Sequence, residues 1–214
     1  MTSNRGRVLL AGETWVTYGI HQKGFSAYTT GGYEVGSDEF LAALKAKGWD
    51  VDHIPNHLAT ESFPTTVEAL DHYDVVILSD VGADTLLLHP DTFVRGERTP
   101  NRLAAIDDWV RSGGGFLMIG GYMSFAGFEG KGGYHATPVE DCLPVEIYGY
   151  DDRAERPEGF HPRVGGKRPS GRERTIGAVA VFPGLQPANR QIRRQCAASR
   201  GRRPVPGRMA TRQR

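Results

Sequence analysis

Three short apolar runs constrain the fold of this chain more than any other feature of its sequence. Residues 7–12 (RVLLAG), 74–79 (DVVILS) and 116–119 (FLMI) are each too short for a helix, and each closes on, or is followed by, glycine or serine. A strand that is apolar on both faces must be covered on both faces, which is the situation of a parallel sheet held between helices. A fourth run, 49–54 (WDVDHI), alternates like a more exposed strand. Helical patterns lie between these runs. Ser37 is placed to N-cap a helix reaching Lys47, with Phe40, Leu41 and Leu44 on one face and Gly48 as its stop. Residues 67–72 read as a short helical turn. Pro100 and Asn101 open a helix whose apolar face is Leu103, Ile106, Trp109 and Val110, ended by the glycines at 113–115. Residues 137–143 read as a short helix and 145–148 as a further strand or edge segment. Residues 13–36, rich in glycine and aromatics, read as a long loop.

Strands alternating with helices predict an α/β fold, a parallel sheet covered on both faces. Open sheets of this kind bind ligands beyond the carboxyl ends of their strands, here 13–15, 80–84 and 120–124. Glu13, Trp15, Asp80, Gly121, Tyr122 and Ser124 are therefore the candidate ligand-binding residues. Gly121 would supply a tight turn, Tyr122 a hydrogen bond or a stacking face, and Asp80 a carboxylate for a hydroxyl or an amine. Tyr122, Ser124 and Asp80 are also the candidates for catalysis. Ser124 is the hydroxyl nucleophile at hand, but no activating base is identifiable beside it. Three readings stay open: a ligand-binding domain, a hydrolase using Ser124 or a water held by Asp80 and Glu13, and a regulatory or interaction domain without a small ligand. The seven histidines are scattered without ligand spacing, so no metal site and no cofactor is expected. Residues 127–134 (GFEGKGGY) lack the GxxxxGK[ST] phosphate-loop pattern and read as a flexible flap near the strand ends.

Charge divides the chain. Residues 163–214 hold 14 of the 26 basic residues and one acid, Glu173, whereas 1–162 hold 12 basic and 24 acidic residues. A net-negative body argues against nucleic-acid binding by that body and suits a small polar partner. Any nucleic-acid contact would be nonspecific and through the basic tail. No apolar run approaches the ~18–20 residues needed to cross a bilayer. The polar residues 1–7 carry no signal-peptide core, and Cys142 and Cys196 make no disulfide framework, so the chain is expected in the cytoplasm, with self-association open.

Several stretches together resemble a known family: 8–15 (VLLAGETW), 79–91 (SDVGADTLLLHPD), 100–103 (PNRL) and 113–125 (GGGFLMIGGYMSF). They are similar to the class I glutamine amidotransferase-like proteins, and within them to a bacterial branch named as glutamine amidotransferase or cytoplasmic proteins. The resemblance covers about residues 7–162. It implies a flavodoxin-like three-layer α/β sandwich. Members that hydrolyse glutamine place a cysteine at the turn after the strand corresponding to 116–119, and a His-Glu pair near the C-terminus. Tyr122 stands at that turn here, and a phenol does not replace the thiolate that forms a glutamyl thioester. The resemblance thus implies the fold and not glutaminase activity.

Two domains are expected: an amidotransferase-like body, 1–162, and an Arg/Pro/Gly-rich tail, 163–214, without a core of its own. The tail has thirteen arginines, a single Lys167 and one aromatic residue, Phe182. It cannot offset an ordering entropy of roughly 1–2 kcal/mol per residue, so Phe182, Leu185 and Ile192 are expected to stay unburied against the body. We read the tail as out-of-frame translation of a GC-rich gene in preference to a native basic arm. Met209 and Ala210, read one nucleotide later, force a tryptophan codon, and the shifted frame permits strand- and turn-like segments around it that resemble the family's C-terminal part. The body would then lack its last strands and helix. Resequencing the gene across the codon for Arg163 is expected to reveal an inserted or deleted nucleotide; an intact reading frame there refutes this origin.

Overall fold

The computed structural model describes residues 5–153 and Pro157. The Arg-rich segment from 163 onward, with Phe182, Leu185 and Ile192, lies outside the described residues. Among the described residues, six strands and seven short α-helices follow one another, with a 3-10 turn at Phe128–Gly130. They are β1 (Arg7–Gly12), β2 (Thr14–Lys23), β3 (Ser26–Val35), α1 (Asp38–Ala46), β4 (Asp50–Ile54), α2 (Asn56–Ser62), α3 (Val67–Leu70), β5 (Val75–Ser79), α4 (Ala83–Leu87), α5 (Pro90–Phe93), α6 (Arg102–Ser112), β6 (Gly115–Ile119) and α7 (Pro138–Cys142).

Four of the strands form a parallel sheet in the order β4-β1-β5-β6. Counted along the chain, the parallel strands lie second, first, third, fourth, consistent with the flavodoxin-like order. Alternation on β1 divides the core in two. Leu9 and Ala11 join Leu78, Leu103, Ile106 and Trp109 beneath α2, α3, α4, α6 and α7. Val8 and Leu10 join Ile77 on the other face, where Phe40, Leu41 and Leu44 of α1 and Trp49 pack over them. The expected three-layer sandwich is therefore present. Along β6, Phe116 and Met118 are buried, while Leu117 and Ile119 on the α1 side are half-covered. Among the described residues β6 is an edge of the sheet.

Helix α6 starts and stops as its sequence predicts. The Asn101 side chain accepts the N–H groups of Leu103 (3.0 Å) and Ala104 (3.2 Å), and Gly113 ends the helix with φ +119°. Ser37 precedes α1 but does not cap it through its side chain, and its buried hydroxyl has no partner among the described residues. Residues 145–148 form no strand; a single bridge at Glu146 is all that remains of that expectation.

The largest correction concerns residues 13–36. They form a hairpin of ten residue pairs, from Thr14↔Val35 to Lys23↔Ser26. Gly24, first of the two loop residues, takes φ +60°; glycine adopts this freely, and two-residue hairpin loops call for it there. Val16, Tyr18 and Ile20 alternate with Thr17, Gly19 and His21, the period-2 pattern of a strand. The density of glycines hid that pattern.

Two substitutions test the roles assigned in α6. Trp109→Ala, at a 2% exposed position, is expected to destabilise by about 3–5 kcal/mol. Asn101→Ala, which removes a cap, should cost about 1 kcal/mol. Urea titrations followed by far-ultraviolet circular dichroism measure both, and equal losses would contradict these assignments.

Candidate functional site

The sheet changes direction at β1. The chain leaves β1 toward β4 on one side, and β5 and β6 lie on the other, so a crevice opens beyond the adjacent ends of β1 and β5. Each of these two strands ends in a carboxylate residue with left-handed backbone, Glu13 at φ +55° and Asp80 at φ +58°. Non-glycine residues rarely hold that conformation, and it persists where the surroundings enforce it. Gly12 shows how tight those surroundings are: a Cβ there would stand 1.8 Å from the Ser79 carbonyl oxygen.

A polar network fixes the two strand ends. The Glu13 N–H donates to the Ser79 carbonyl at 2.9 Å, and the Ser79 hydroxyl donates to Glu13 Oε2. Asn56 holds both strand ends, its Nδ2 donating to the carbonyls of Thr14 (2.7 Å) and Asp80 (3.1 Å). Its backbone N–H donates to Thr14 Oγ1 at 2.9 Å, and His53 Nε2 donates to the Gly12 carbonyl at 2.8 Å. On the far side, the Asp80 N–H donates to Ser124 Oγ (3.0 Å), and Met123 N–H donates to Asp80 Oδ1 (2.6 Å). Gly121 permits this last arrangement, because a Cβ at its position would lie 2.6 Å from Asp80 Oδ1. Glu13 Oε1 and Asp80 Oδ2 accept no hydrogen bond from the described residues.

Two cavities flank this network. The larger, about 680 Å³, is lined by Glu13, Trp15, Asp80, Gly121 and Tyr122 together with Gly36, Glu39 and Phe40. The smaller, about 310 Å³, lies between the base of the hairpin and α2, with Asn56, His57 and Met123 in its wall. Trp15 and Asp80 belong to both. Five of the six predicted ligand-binding residues thus share one cleft.

Ser124 does not share it. Its side chain is 1% exposed, it lines neither cavity, and its hydroxyl accepts the Asp80 N–H. No histidine hydrogen-bonds to it among the described residues. Ser124 is therefore a positioning residue for Asp80, and the structure corrects its candidacy as a nucleophile. The turn at Tyr122 also departs from a nucleophile elbow, which sets a strained residue between a strand and a helix. The first left-handed non-glycine residue after β6 is Phe125, and α7 begins only at Pro138. Strand, left-handed residue and helix occur in that order at Asp80 instead, between β5 and α4.

Residues 127–134 are pinned, not free. The N–H groups of Ala126 (3.2 Å) and Gly127 (3.0 Å) donate to the carboxylate of Asp152, which is 4% exposed. The Tyr134 phenol, fully buried and with its pKa raised by that burial, donates to the Val81 carbonyl at 2.6 Å. Backbone donors buried beneath a surface segment need such partners, and the acceptor for two of them comes from 25 and 26 residues downstream, beyond local sequence reasoning. His53, Asn56 and Ser79 were also missed as functional positions. The strand-end rule that pointed to β1, β5 and β6 extends to the end of β4, where His53 and Asn56 lie.

Comparison with known proteins now adds a lineage. A family described as "Putative glutamine amidotransferase" matches residues 7–189. The chain belongs to this family. Cytoplasmic protein STM3548 from Salmonella typhimurium is similar in structure with a TM-score of 0.68 and 43% identity, over 71% of this chain and 62% of that one. Cytoplasmic protein STM1381 from Salmonella typhimurium LT2 gives 0.69 and 44%, over 72% and 62%. The chain therefore spans under two thirds of the length of either relative. No curated protein matches it. No described helix is long and apolar enough to cross a membrane, and no described group of histidine, cysteine or acidic side chains could hold a metal ion.

Asp152 makes the pinned segment sensitive to pH. Burial raises its carboxyl above the ordinary value, against the lowering effect of the two N–H donors. The folded state thus keeps this proton to higher pH than the unfolded chain does. The resulting stabilisation is full below the unfolded value and is lost as pH rises through the folded one. Relative to Asp152→Asn, the wild type should lose stability as pH rises above the ordinary carboxylate value of about 4, measured by urea unfolding; a difference that stays constant as pH rises from there to neutrality would refute the assignment.

Proposed function

We propose that this domain binds a small polar ligand bearing hydroxyl or amine donors in the strand-end cleft, and that it does not hydrolyse glutamine. One observation carries the reading: two carboxylate residues, held in a rare backbone conformation at adjacent strand ends, each keep beside the same cleft an oxygen unengaged by any described residue. Backbone strain maintained at a ligand crevice is a recurrent mark of function. Glu13 and Asp80 accept the ligand's donors, Trp15 and Tyr122 offer aromatic faces, and Gly121 lets the Asp80 carboxylate lie over the turn. Sites of this size take ligands of ordinary metabolite dimensions.

The chemistry of glutamine hydrolysis lacks its nucleophile. No cysteine stands in residues 119–126. The Cys142 thiol is pushed up to about 12, chiefly by burial, beside Asp107 and Arg111 of α6, and its Sγ donates to the Val139 carbonyl at 3.2 Å. A thiol in that state is protonated at neutral pH and does not attack an amide. No histidine follows His161 in the sequence. A water held between Glu13 and Asp80 would use the same two oxygens for hydrolysis, and consumption of the ligand distinguishes that reading from binding. We place the protein in the cytoplasm, as its two named relatives are.

Thermal unfolding in the presence of a panel of primary amines and polyols tests the proposal. A ligand at a hundredfold its dissociation constant adds about 2.7 kcal/mol, which raises Tm by several degrees. Asp80→Asn and Glu13→Gln should each abolish the shift. The same preparation should release no ammonia from L-glutamine; turnover lost in Cys142→Ala would overturn the negative half.

A further inference from the structure

The cleft and the tip of the hairpin are opposite in charge and cannot meet within one molecule. Glu13, Glu39 and Asp80 line the cleft, and among the described residues no lysine, arginine or histidine lines it, Arg153 lying behind the wall over the Tyr122 ring at 5.5 Å. At the end of the β2–β3 hairpin, Lys23 is exposed and forms no ion pair among the described residues, and Phe25 beside it is fully exposed. Trp15, at the base of the same hairpin, lines the cleft. Lys23 lies eight residues further along an extended strand, roughly 25 Å away. The hairpin also does not fold back on the body, for nearly every residue of both its strands is exposed.

We propose that the hairpin is an exchange arm: the tip of one copy, through Lys23 and Phe25, docks at the acidic strand-end cleft of a second copy, and the second copy returns the contact. Each cleft then receives a cation that the described residues of its own wall do not include. This goes beyond the ligand reading, since it concerns what closes the mouth of the cleft.

Three features favour a second copy as the occupant. The first is the charge complementarity, a lysine against three carboxylates, which steers association and sets register. The second is the ribbon's asymmetry. Val16, Tyr18, Ile20 and Tyr33 share one face, and all four are largely exposed. A two-stranded ribbon in water is marginal alone and gains from being covered. The third is size. A ribbon about 33 Å long and about 10 Å wide presents roughly 300 Å² on one face. Two reciprocal arms, each covering an equal area of the partner, would bury about 1,200 Å² in all, at the lower end of specific interfaces. The tip is also preorganised, which lowers the entropy lost on docking: His21 stacks on Tyr28 with ring centroids 4.6 Å apart, and Gln22 Nε2 donates to the Gly24 carbonyl at 2.8 Å.

Sedimentation velocity of the full chain without added small molecules tests this. The wild type should be a dimer. Lys23→Glu and Glu39→Lys should each weaken dimerisation about tenfold, and the two in one chain should restore it to within about threefold. Phe25→Ser should weaken it as the single charge reversals do. All three side chains are exposed, so an unchanged Tm verifies that each variant folds. A wild type that stays monomeric at ~100 μM, a dimer indifferent to these substitutions, or a double variant no better than either single one would overturn the proposal. None of these outcomes depends on ligand binding, so the two readings fail separately.

Discussion

Everything in this molecule depends on β1 pairing in parallel on both edges, with β4 and with β5. A parallel strand buried on both faces and hydrogen-bonded on both sides has no freedom of register, because a slip by one residue would exchange Leu9 and Ala11 with Val8 and Leu10. That register sets Gly12 opposite Ser79, and so brings the chain immediately after each strand to the same point. Glu13 and Asp80 are consequences of this alignment. The strain in their backbones is held by the sheet beneath them and by Asn56, which donates to carbonyls on both sides of the crevice.

The same constraint shapes the electrostatics. Strand ends in open α/β sheets often face helix N-termini whose N–H groups attract anions. Here the first turn of α1 reaches the crevice, and it brings an acidic side chain, Glu39, into the wall. The crevice is also lined by Glu13 and Asp80, each with one carboxylate oxygen that accepts no hydrogen bond from the described residues. Membership in an amidotransferase-like family settles the scaffold, while the residues at the strand ends settle the chemistry, and these two levels are separable. A cysteine that is half-buried and protonated beside α6 contributes packing to the scaffold and does not line the crevice.

The hairpin illustrates how a scaffold acquires a surface its core does not need. It contributes one buried residue at its base, Thr14, and otherwise stands in solvent. An element with so little burial gains little from its own fold. Its exposed aliphatic and aromatic face and its cationic tip are consistent with a surface that another molecule covers.

Local sequence determined the pieces. The apolar runs at 8–11, 75–78 and 116–119, the cap at Asn101 and the stop at Gly113 were legible because strand and helix periodicities are properties of neighbouring residues. The strand-end rule then singled out Glu13, Trp15, Asp80, Gly121 and Tyr122, which line a single cleft. Tertiary structure alone decided the rest. That Ser124 supports Asp80 and faces no ligand depends on a contact across 44 residues. That residues 127–134 are pinned depends on Asp152, and that Asn56 ties two strands together depends on their adjacency in the sheet. Burial and hydrogen-bond partnership arise only when distant segments meet, so a hydroxyl that reads as a nucleophile in the chain becomes, once folded, an acceptor for a backbone N–H.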